Sequence, residues 1–465
     1  MKKFPIKFAK TFFKLPVISW ALYDFANTAF AVVIITIIFP VYFTNIIAPE
    51  SLYGKNFGDL MWGISLGVSM IIAAFLAPVF GTIADQLHFK NKFLIILTCI
   101  SIIFTALLYF TGYGNILAAM IFFIIANIFY QLSMLFYNSF LPELSDKDNV
   151  GNISGFGFAL GYLGGLIILL IIYFIFGKEL TIENIKNLKI IFIFTAAYFL
   201  IFSLPSFLFL KDKNLKLSNI ISKTVKPEHQ DKKTANFLCD NENIIKFNKV
   251  SLVGFINSYI TPGFQMLSYT FKRVKTDRNL LTFLISFFLF SNAFSILATY
   301  SAIYGKNTLN LSLRELTFLF ILGHFPVIIS SFFFGWLVDK LGSKKVIILT
   351  LIIWSIIIIL ITLANVKVIF YIVFVLASVI TGSTLIAARS LMSFLTPIES
   401  EAGYFSFYSI GGKVSSILGP VLFGLISFLT KSQRIAFFCS TLLFLISGLI
   451  LMIKVKVPEK REGQV

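Results

Sequence analysis

The sequence predicts an all-α polytopic membrane protein with twelve transmembrane helices in two pseudo-symmetric six-helix bundles. Composition is the first reason: the 465 residues are 58% hydrophobic and only 13% charged. A soluble globular chain is about 25% charged, so soluble domains of this length would need far more polar surface. The second reason is that the apolar residues form twelve long runs, and the third is an internal repeat that divides these runs into two groups of six.

Each apolar run is long enough to cross a bilayer. A spanning helix needs about 20 apolar residues, because each residue adds about 1.5 Å. The predicted spans are 20–43, 60–84, 93–112, 115–138, 153–176, 190–210, 279–304, 314–338, 345–364, 367–390, 402–428 and 433–453.

One long polar stretch separates the sixth span from the seventh. The predicted organisation is therefore an N-terminal tail (1–19), a first bundle (20–210), a basic linker (211–278), a second bundle (279–453) and a C-terminal tail (454–465). The N-terminal tail has five lysines in residues 1–17 and no apolar core, so we interpret it as a retained tail rather than a signal peptide.

The net charge of +18 follows from membrane topology. With the N-terminus inside, most basic residues fall in inside segments, and the excess persists when the linker is left out. We therefore expect both termini in the cytoplasm, a bacterial inner membrane as the location, and no nucleic-acid partner. The three cysteines and three histidines are scattered, so no disulfide framework or metal site is predicted.

The two halves repeat each other at a nearly constant spacing. Gly81-Thr-Ile-Ala-Asp85 and Gly335-Trp-Leu-Val-Asp339 start 254 positions apart, and so do the motifs that begin at Ser139 and Ser393. Halves of six spans each have the same orientation in the bilayer, which is the plan of the major facilitator transporters.

The loop after the eighth span reads GWLVDKLGSKK and resembles the signature G-x-x-x-D-[RK]-x-G-[RK]-[RK] of that superfamily. An acid and several cations at helix ends can pair, and can part when the halves rock. The first-half copy, GTIADQLHFKNK, lacks the cation and the glycine. The predicted gating-loop residues are Asp85, Asp339, Lys340, Lys344, Lys345 and Arg389.

Within the superfamily, several stretches resemble the vacuole-effluxer family of fungal amino-acid effluxers and their bacterial relatives. They are WALYDFANTAF in span 1, FYNSFLPE at the end of span 4, SGFGFALGYLGG in span 5 and YFSFYSIGGKVSSILGPVLFGLI in span 11. The resemblance implies a secondary active transporter of a small polar solute, with an amino acid and efflux as the best expectation. Asn292 stands where relatives usually show an acid, which puts proton coupling in question.

Polar residues form stripes at helical spacing in spans 1, 4, 7 and 10. The resemblance implies that these four helices line the cavity. Lys413 lies deep in span 11, beyond the reach of either interface, so a carboxylate is its expected partner. The predicted substrate-path residues are Asp24, Asn27, Asn127, Tyr130, Gln131, Asn292 and Lys413.

Asp24 keeps two interpretations. It is either a gate or proton-linked acid that faces the path, or a carboxylate stabilised by the start of its helix, which we predict at residue 20. Arg389 fits a topology or gate residue better than a ligand, and His324 fits a hydrogen-bonded core histidine better than a proton relay.

An enzyme is not expected, because the chain has no HExxH, GxSxG or P-loop motif. No catalytic residue, metal or cofactor is therefore predicted. The expected partners are a small solute, a coupling proton and the bilayer, and the expected state is a monomer. The alternative is a non-transporting sensor or scaffold, or a lipid-handling protein, on a transporter fold.

Overall fold

The computed structural model describes residues 14–87, 90–144, 150–176, 184–211, 277–363, 366–395 and 401–456. These ranges contain twelve long helices. They are α1 (Leu15–Ile47), α2 (Phe57–Leu87), α3 (Lys90–Leu107), α4 (Ile116–Ser139), α5 (Val150–Phe176), α6 (Ile185–Phe209), α7 (Arg278–Asn307), α8 (Leu313–Leu341), α9 (Ser343–Leu363), α10 (Lys367–Leu395), α11 (Glu401–Thr430) and α12 (Gln433–Lys454).

The twelve helices confirm the predicted fold class. Within the described ranges, eleven of them are long and apolar enough to cross a membrane, and α8 completes the set. Most of the predicted tails and of the linker 211–278 lies outside the described residues. The division into domains therefore stays a prediction, with one difference: residues 15–19, predicted as tail, belong to α1.

The early start of α1 changes the depth of Asp24. A proline in its first turn begins the helix at Leu15 instead of residue 20, which is where proline is tolerated because the first amides have no helical partner. Asp24 thus lies nine residues, or about 14 Å, along the helix. A helix dipole acts within the first turn, so it does not stabilise Asp24 as the alternative interpretation required.

Helix α1 is not regularly wound. Its middle, Phe30–Ile37, and its end, Phe43–Ile47, are π-helical, with an α-helical turn at Ile38–Tyr42 between them. The hydroxyl of Thr36 donates a 2.9 Å hydrogen bond to the carbonyl of Ala31, five residues earlier. π-Helical turns are rare and are often found at functional sites.

The same helix pairs pack in both halves of the molecule. In the first half (α1–α6) the main pairs are α1–α5, α1–α6, α2–α4, α3–α4 and α3–α6. In the second half (α7–α12) they are α7–α11, α7–α12, α8–α10, α9–α10 and α9–α12. Each pair of the first half becomes a pair of the second half when six is added to both helix numbers. The two bundles therefore have the same architecture, as the sequence repeat predicts.

The halves meet through α2 with α11, α5 with α8, and α1 with α7. We call the end where α1 begins and α12 ends the terminal end, and the opposite end the distal end. In the distal half of the molecule, α2 and α11 pack closely. A Cβ atom at Gly63 would lie 2.6 Å from the carbonyl oxygen of Pro420, so only glycine permits this approach. Phe57 and Phe428 also meet edge to face there.

Candidate functional site

The distal end of the interface between the halves is closed. The side chain of Asn45 donates to Asn307 at 2.9 Å, and the side chain of Asn56 donates to the carbonyl of Ser427 at 3.1 Å. Nearby, the guanidinium of Arg314 on α8 lies 5.2 Å from the ring centroid of Tyr173 on α5. These contacts connect the two halves at the distal end, both where α2 meets α11 and where α5 meets α8.

Towards the terminal end, α2 and α11 part. On α2, the face that carries Gly63 and Gly67 continues at Ile71 and Ala74, which are both exposed. On α11, the face that contacts α2 includes Ile417, Pro420 and Gly424. A cleft between the halves therefore widens from the middle of these helices towards the terminal end.

Lys413 belongs to the cleft-facing side of α11. It precedes Ile417, Pro420 and Gly424 by four, seven and eleven residues, which places all four on one helical face. Its side chain is exposed, and it lies twelve residues, or about 18 Å, along α11. Lys413, which the sequence predicts as a path residue, therefore faces the first half and lies near the centre of the bilayer.

Three of the predicted path residues are brought together in the first half. The amide of Asn27 donates to Oδ1 of Asp24 at 3.1 Å, and the hydroxyl of Tyr130 on α4 donates to Oδ1 of Asn27 at 3.4 Å. Asn27 and Tyr130 are buried, whereas Asp24 is half-buried. Of these three side chains, only that of Asp24 is therefore partly exposed.

The Asp24 group is close to the seam between α5 and α8. A Cβ atom at Gly161 of α5 would lie 3.2 Å from the Asp24 carboxylate, so glycine lets α5 pack closely against the carboxylate on that side. One turn further along α5, Gly165 lies beside both Thr28 of α1 and the imidazole of His324 of α8. His324 itself forms a 2.6 Å hydrogen bond to the carbonyl of Phe320, as expected for a core histidine.

Aromatic side chains from the WALYDFANTAF stretch fix the position of this group. The indole of Trp20 donates to the carbonyl of Tyr137 at 2.9 Å and stacks on the Tyr137 ring at 4.7 Å. Tyr23 hydrogen-bonds Thr98 of α3 at 2.7 Å, and Phe25 stacks on Tyr198 of α6 at 5.6 Å. Helix α1 is thereby held against α3, α4 and α6.

Two other predicted path residues lie between helices of their own half. Asn127 is fully buried and donates to the hydroxyl of Ser69 on α2 at 2.7 Å. Asn292 donates to Ser415 on α11 at 3.2 Å and is also buried. The sequence did not indicate these partners. Gln131 is half-buried. In this conformation the two asparagines connect helices, so their contact with a solute stays a prediction.

The predicted gating-loop cations lie in different environments, and their role as a gate stays a prediction. Lys340, Lys345 and Arg389 are exposed, whereas Lys344 donates to the carbonyls of Val455 and Met452 at the end of α12. The side chains of Asp85 and Asp339 are outside the part of the chain that the structure describes. An ion pair that sequence reasoning missed joins Lys90 to Glu143 at 3.0 Å within the first half.

Comparison with solved structures identifies the fold. The fold matches a mutant of the nucleoside transporter NupG with a TM-score of 0.69, over 95% of this chain and 100% of that one, at 10% identity. It matches a D-xylose-proton symporter with a TM-score of 0.66, over 98% and 100% of the two chains, at 13% identity. The protein therefore has the fold of the major facilitator transporters, as the sequence predicts.

Its sequence then places it in one family. Residues 61–464 match the family model described as "Vacuole effluxer Atg22 like", and the chain belongs to that family. It is 26% identical to the uncharacterized MFS-type transporter YxiO of Bacillus subtilis, over 96% of each chain. It is also 26% identical to Autophagy-related protein 22 of Vanderwaltozyma polyspora, over 68% of this chain and 62% of that one. These matches confirm the resemblance that was drawn from spans 1, 4, 5 and 11.

Proposed function

We propose that this transporter carries amino acids by alternating access between its two halves. The observation that supports it most directly is a pair of opposite charges at similar depth on the two halves. Asp24 lies about 14 Å and Lys413 about 18 Å along helices that both begin at the terminal end. An amino acid carries an ammonium and a carboxylate, so it complements an acid and a base set on either side of a cleft.

The same geometry supports roles for the individual residues. Lys413 would bind the carboxylate of the solute, and Asp24 its ammonium group. Asn27 would hold the Asp24 carboxylate in place through its hydrogen bond, and Tyr130 would hold Asn27 in turn. Charges near the bilayer centre are costly in lipid and are normally turned towards a path or a partner, which agrees with these assignments.

The distribution of basic residues supports a location in the bacterial inner membrane with both termini in the cytoplasm. With that orientation the closed distal end faces outward, and the cleft opens to the cytoplasm. Efflux would then start from the conformation described here. We keep the predicted monomer, because each chain has both halves and therefore a complete cleft.

Counterflow in proteoliposomes tests the substrate class. Purified protein reconstituted into liposomes loaded with an unlabelled amino-acid mixture should take up labelled amino acids in a saturable manner, because alternating access exchanges solute across the bilayer. Liposomes loaded with xylose or a nucleoside, the solutes of the structurally similar transporters, should show no such uptake of their labelled counterparts. Tight amino-acid binding without counterflow would instead favour a sensor on a transporter fold.

A crosslink across the distal end tests alternating access. In a cysteine-free background we expect Asn45→Cys combined with Asn307→Cys to react with a short bis-methanethiosulfonate crosslinker, which attaches through reducible disulfides, because the two native side chains are 2.9 Å apart. The crosslinked protein should lose counterflow and regain it on reduction. Each single variant treated with the same reagent serves as the control. Full transport by the crosslinked double variant would contradict the mechanism.

A further inference from the structure

A carboxylate is buried where the two halves close. Asp59, in the first turn of α2, has 1% of its surface exposed. Its Oδ2 atom accepts hydrogen bonds from the hydroxyl of Ser427 and the side-chain amide of Gln433, both at 2.7 Å. Its backbone carbonyl accepts a third from the hydroxyl of Tyr300, also at 2.7 Å. All three donors belong to the second half, so closure of the distal end surrounds this residue of the first half.

Among the residues that the structure describes, the other carboxyl oxygen of Asp59 has no hydrogen-bond donor. Oδ1 of Asp59 is buried and accepts no hydrogen bond, and within the described ranges Asp59 forms no ion pair. An ionised carboxylate without a cation in a low-dielectric seam is destabilised. A proton on Oδ1 removes the charge, and the neutral acid still accepts both hydrogen bonds at Oδ2. The closed seam therefore favours the neutral acid.

We propose that Asp59 is a proton-binding site that controls closure of the distal end: it is protonated while the distal end is closed and releases its proton when the distal end opens. This inference rests on the proposed transport function. It places proton binding on α2, at the seam between the halves, whereas the sequence comparison had directed attention to Asn292 on α7. It also gives the proton a direct effect on conformation, because the protonated side chain is part of the closing contact.

The surroundings of Asp59 supply a route for exchange. Asp59 lines a cavity of about 440 Å³ at the distal end, between the two halves. The other charged groups on its wall are Glu50, Lys55, Lys306, Lys431 and Arg434. Among these cations, Lys431 lies 4.0 Å from the centroid of the Phe428 ring, and Arg434 interacts with Tyr304. When the distal end opens, water and this positive surface reach the carboxylate, and both favour its ionised form.

The direction of the pH effect follows from proton linkage. Closing the distal end takes up one proton, so low pH on the distal side favours closure. Above the titration midpoint, the ratio of closed to open molecules should fall by up to tenfold for each pH unit. Below that midpoint the ratio should not depend on pH. A carrier of this kind exchanges its proton with the compartment that the distal end faces.

Distance measurements between spin labels test this directly and need no substrate. The labels go on cysteines that replace Leu52 and Leu429, which are exposed distal residues of the first and second halves. Cys99, Cys239 and Cys439 are changed to serine. Between about pH 5.5 and 8.5 we expect the short-distance population to decrease as pH rises. In Asp59→Asn, whose amide mimics the neutral acid, the short distance should dominate at every pH.

Glu50→Gln is the matched control, since it makes the same acid-to-amide change on the wall of the same cavity. It should keep the pH dependence of the parent. If Asp59→Asn does not assemble, Ser427→Ala removes one donor to Asp59 and should move the midpoint.

Three results would overturn the proposal: a parent distance distribution that ignores pH, an unchanged pH dependence in Asp59→Asn, or an unchanged midpoint in Ser427→Ala. A response to sodium at constant pH, with potassium as the comparison, would also overturn it in favour of a metal cation. The transport proposal fails separately, through the counterflow assay.

Discussion

Replacing Lys413 with alanine should lower counterflow by about 10- to 100-fold while the protein still inserts and purifies normally. A charge-assisted hydrogen bond to a carboxylate contributes about 1.5–3 kcal/mol, and each 1.4 kcal/mol corresponds to about tenfold in affinity. The side chain is exposed in the cleft and supports no other helix, so its removal should leave stability intact. Initial rates across a range of solute concentrations would measure the loss.

Arginine at position 413 should restore only part of the activity. Arginine keeps the charge, but its planar fork places its donors differently from the compact ammonium of lysine. Lys454→Ala is the control, because Lys454 is an exposed lysine in the last turn of α12. Normal transport by Lys413→Ala would remove this residue from the solute path and with it the main support for a zwitterionic substrate.

Gly164→Ala should destabilise the first half by about 3 kcal/mol, and Gly164→Leu should prevent assembly. A Cβ atom at this position of α5 would lie 2.8 Å from the Cα and carbonyl carbon of Phe25 and closer still to its carbonyl oxygen. These are backbone atoms of α1 and cannot move aside, so the two helices must separate. Overpacking a tight contact typically costs about 1–3 kcal/mol, and here the change falls at the upper end of that range.

The matched control for this prediction is Gly155→Ala on the same helix. A Cβ atom at Gly155 meets no atom within 4 Å, so alanine should raise helix stability by about 0.5–1 kcal/mol. Thermal unfolding in detergent, followed by intrinsic fluorescence and by the monodisperse fraction, compares the variants. Equal melting temperatures for Gly164→Ala and Gly155→Ala would mean that α1 and α5 do not pack as described.

The helices could be predicted from the sequence because lipid imposes a simple rule on it. Every backbone polar group must be satisfied within the span, so spanning segments become long apolar helices whose lengths follow from hydropathy. The sequence predicts the start of α1 at residue 20, five residues too late, because the short apolar stretch after Lys14 was assigned to the N-terminal tail. The repeat in turn required the two halves to share one architecture, which they do.

The candidate site could be predicted only in part. Lys413 and the Asp24–Asn27 pair were found because charges and amides stand out in apolar helices. The partners of Asn127 and Asn292 were not, since Ser69 and Ser415 approach them through tertiary packing that no local pattern records. Asp59 was missed because an acid in the first turn of a helix normally faces water. Only the closure of one half on the other buries it.

The wide turns in the middle of α1 make its two ends rotationally independent in a way that a regular helix does not allow. Each residue that changes from π to α winding turns one end of the helix relative to the other by a small fraction of the roughly 100° that separates neighbouring residues, and the rotation adds up over the eight residues of the segment. Phe30–Ile37 lies between the Asp24 group and the distal contacts of the same helix. Rewinding this segment would therefore swing the acid around the helix axis while the far end stays docked, so that a single helix can register events at both faces of the membrane.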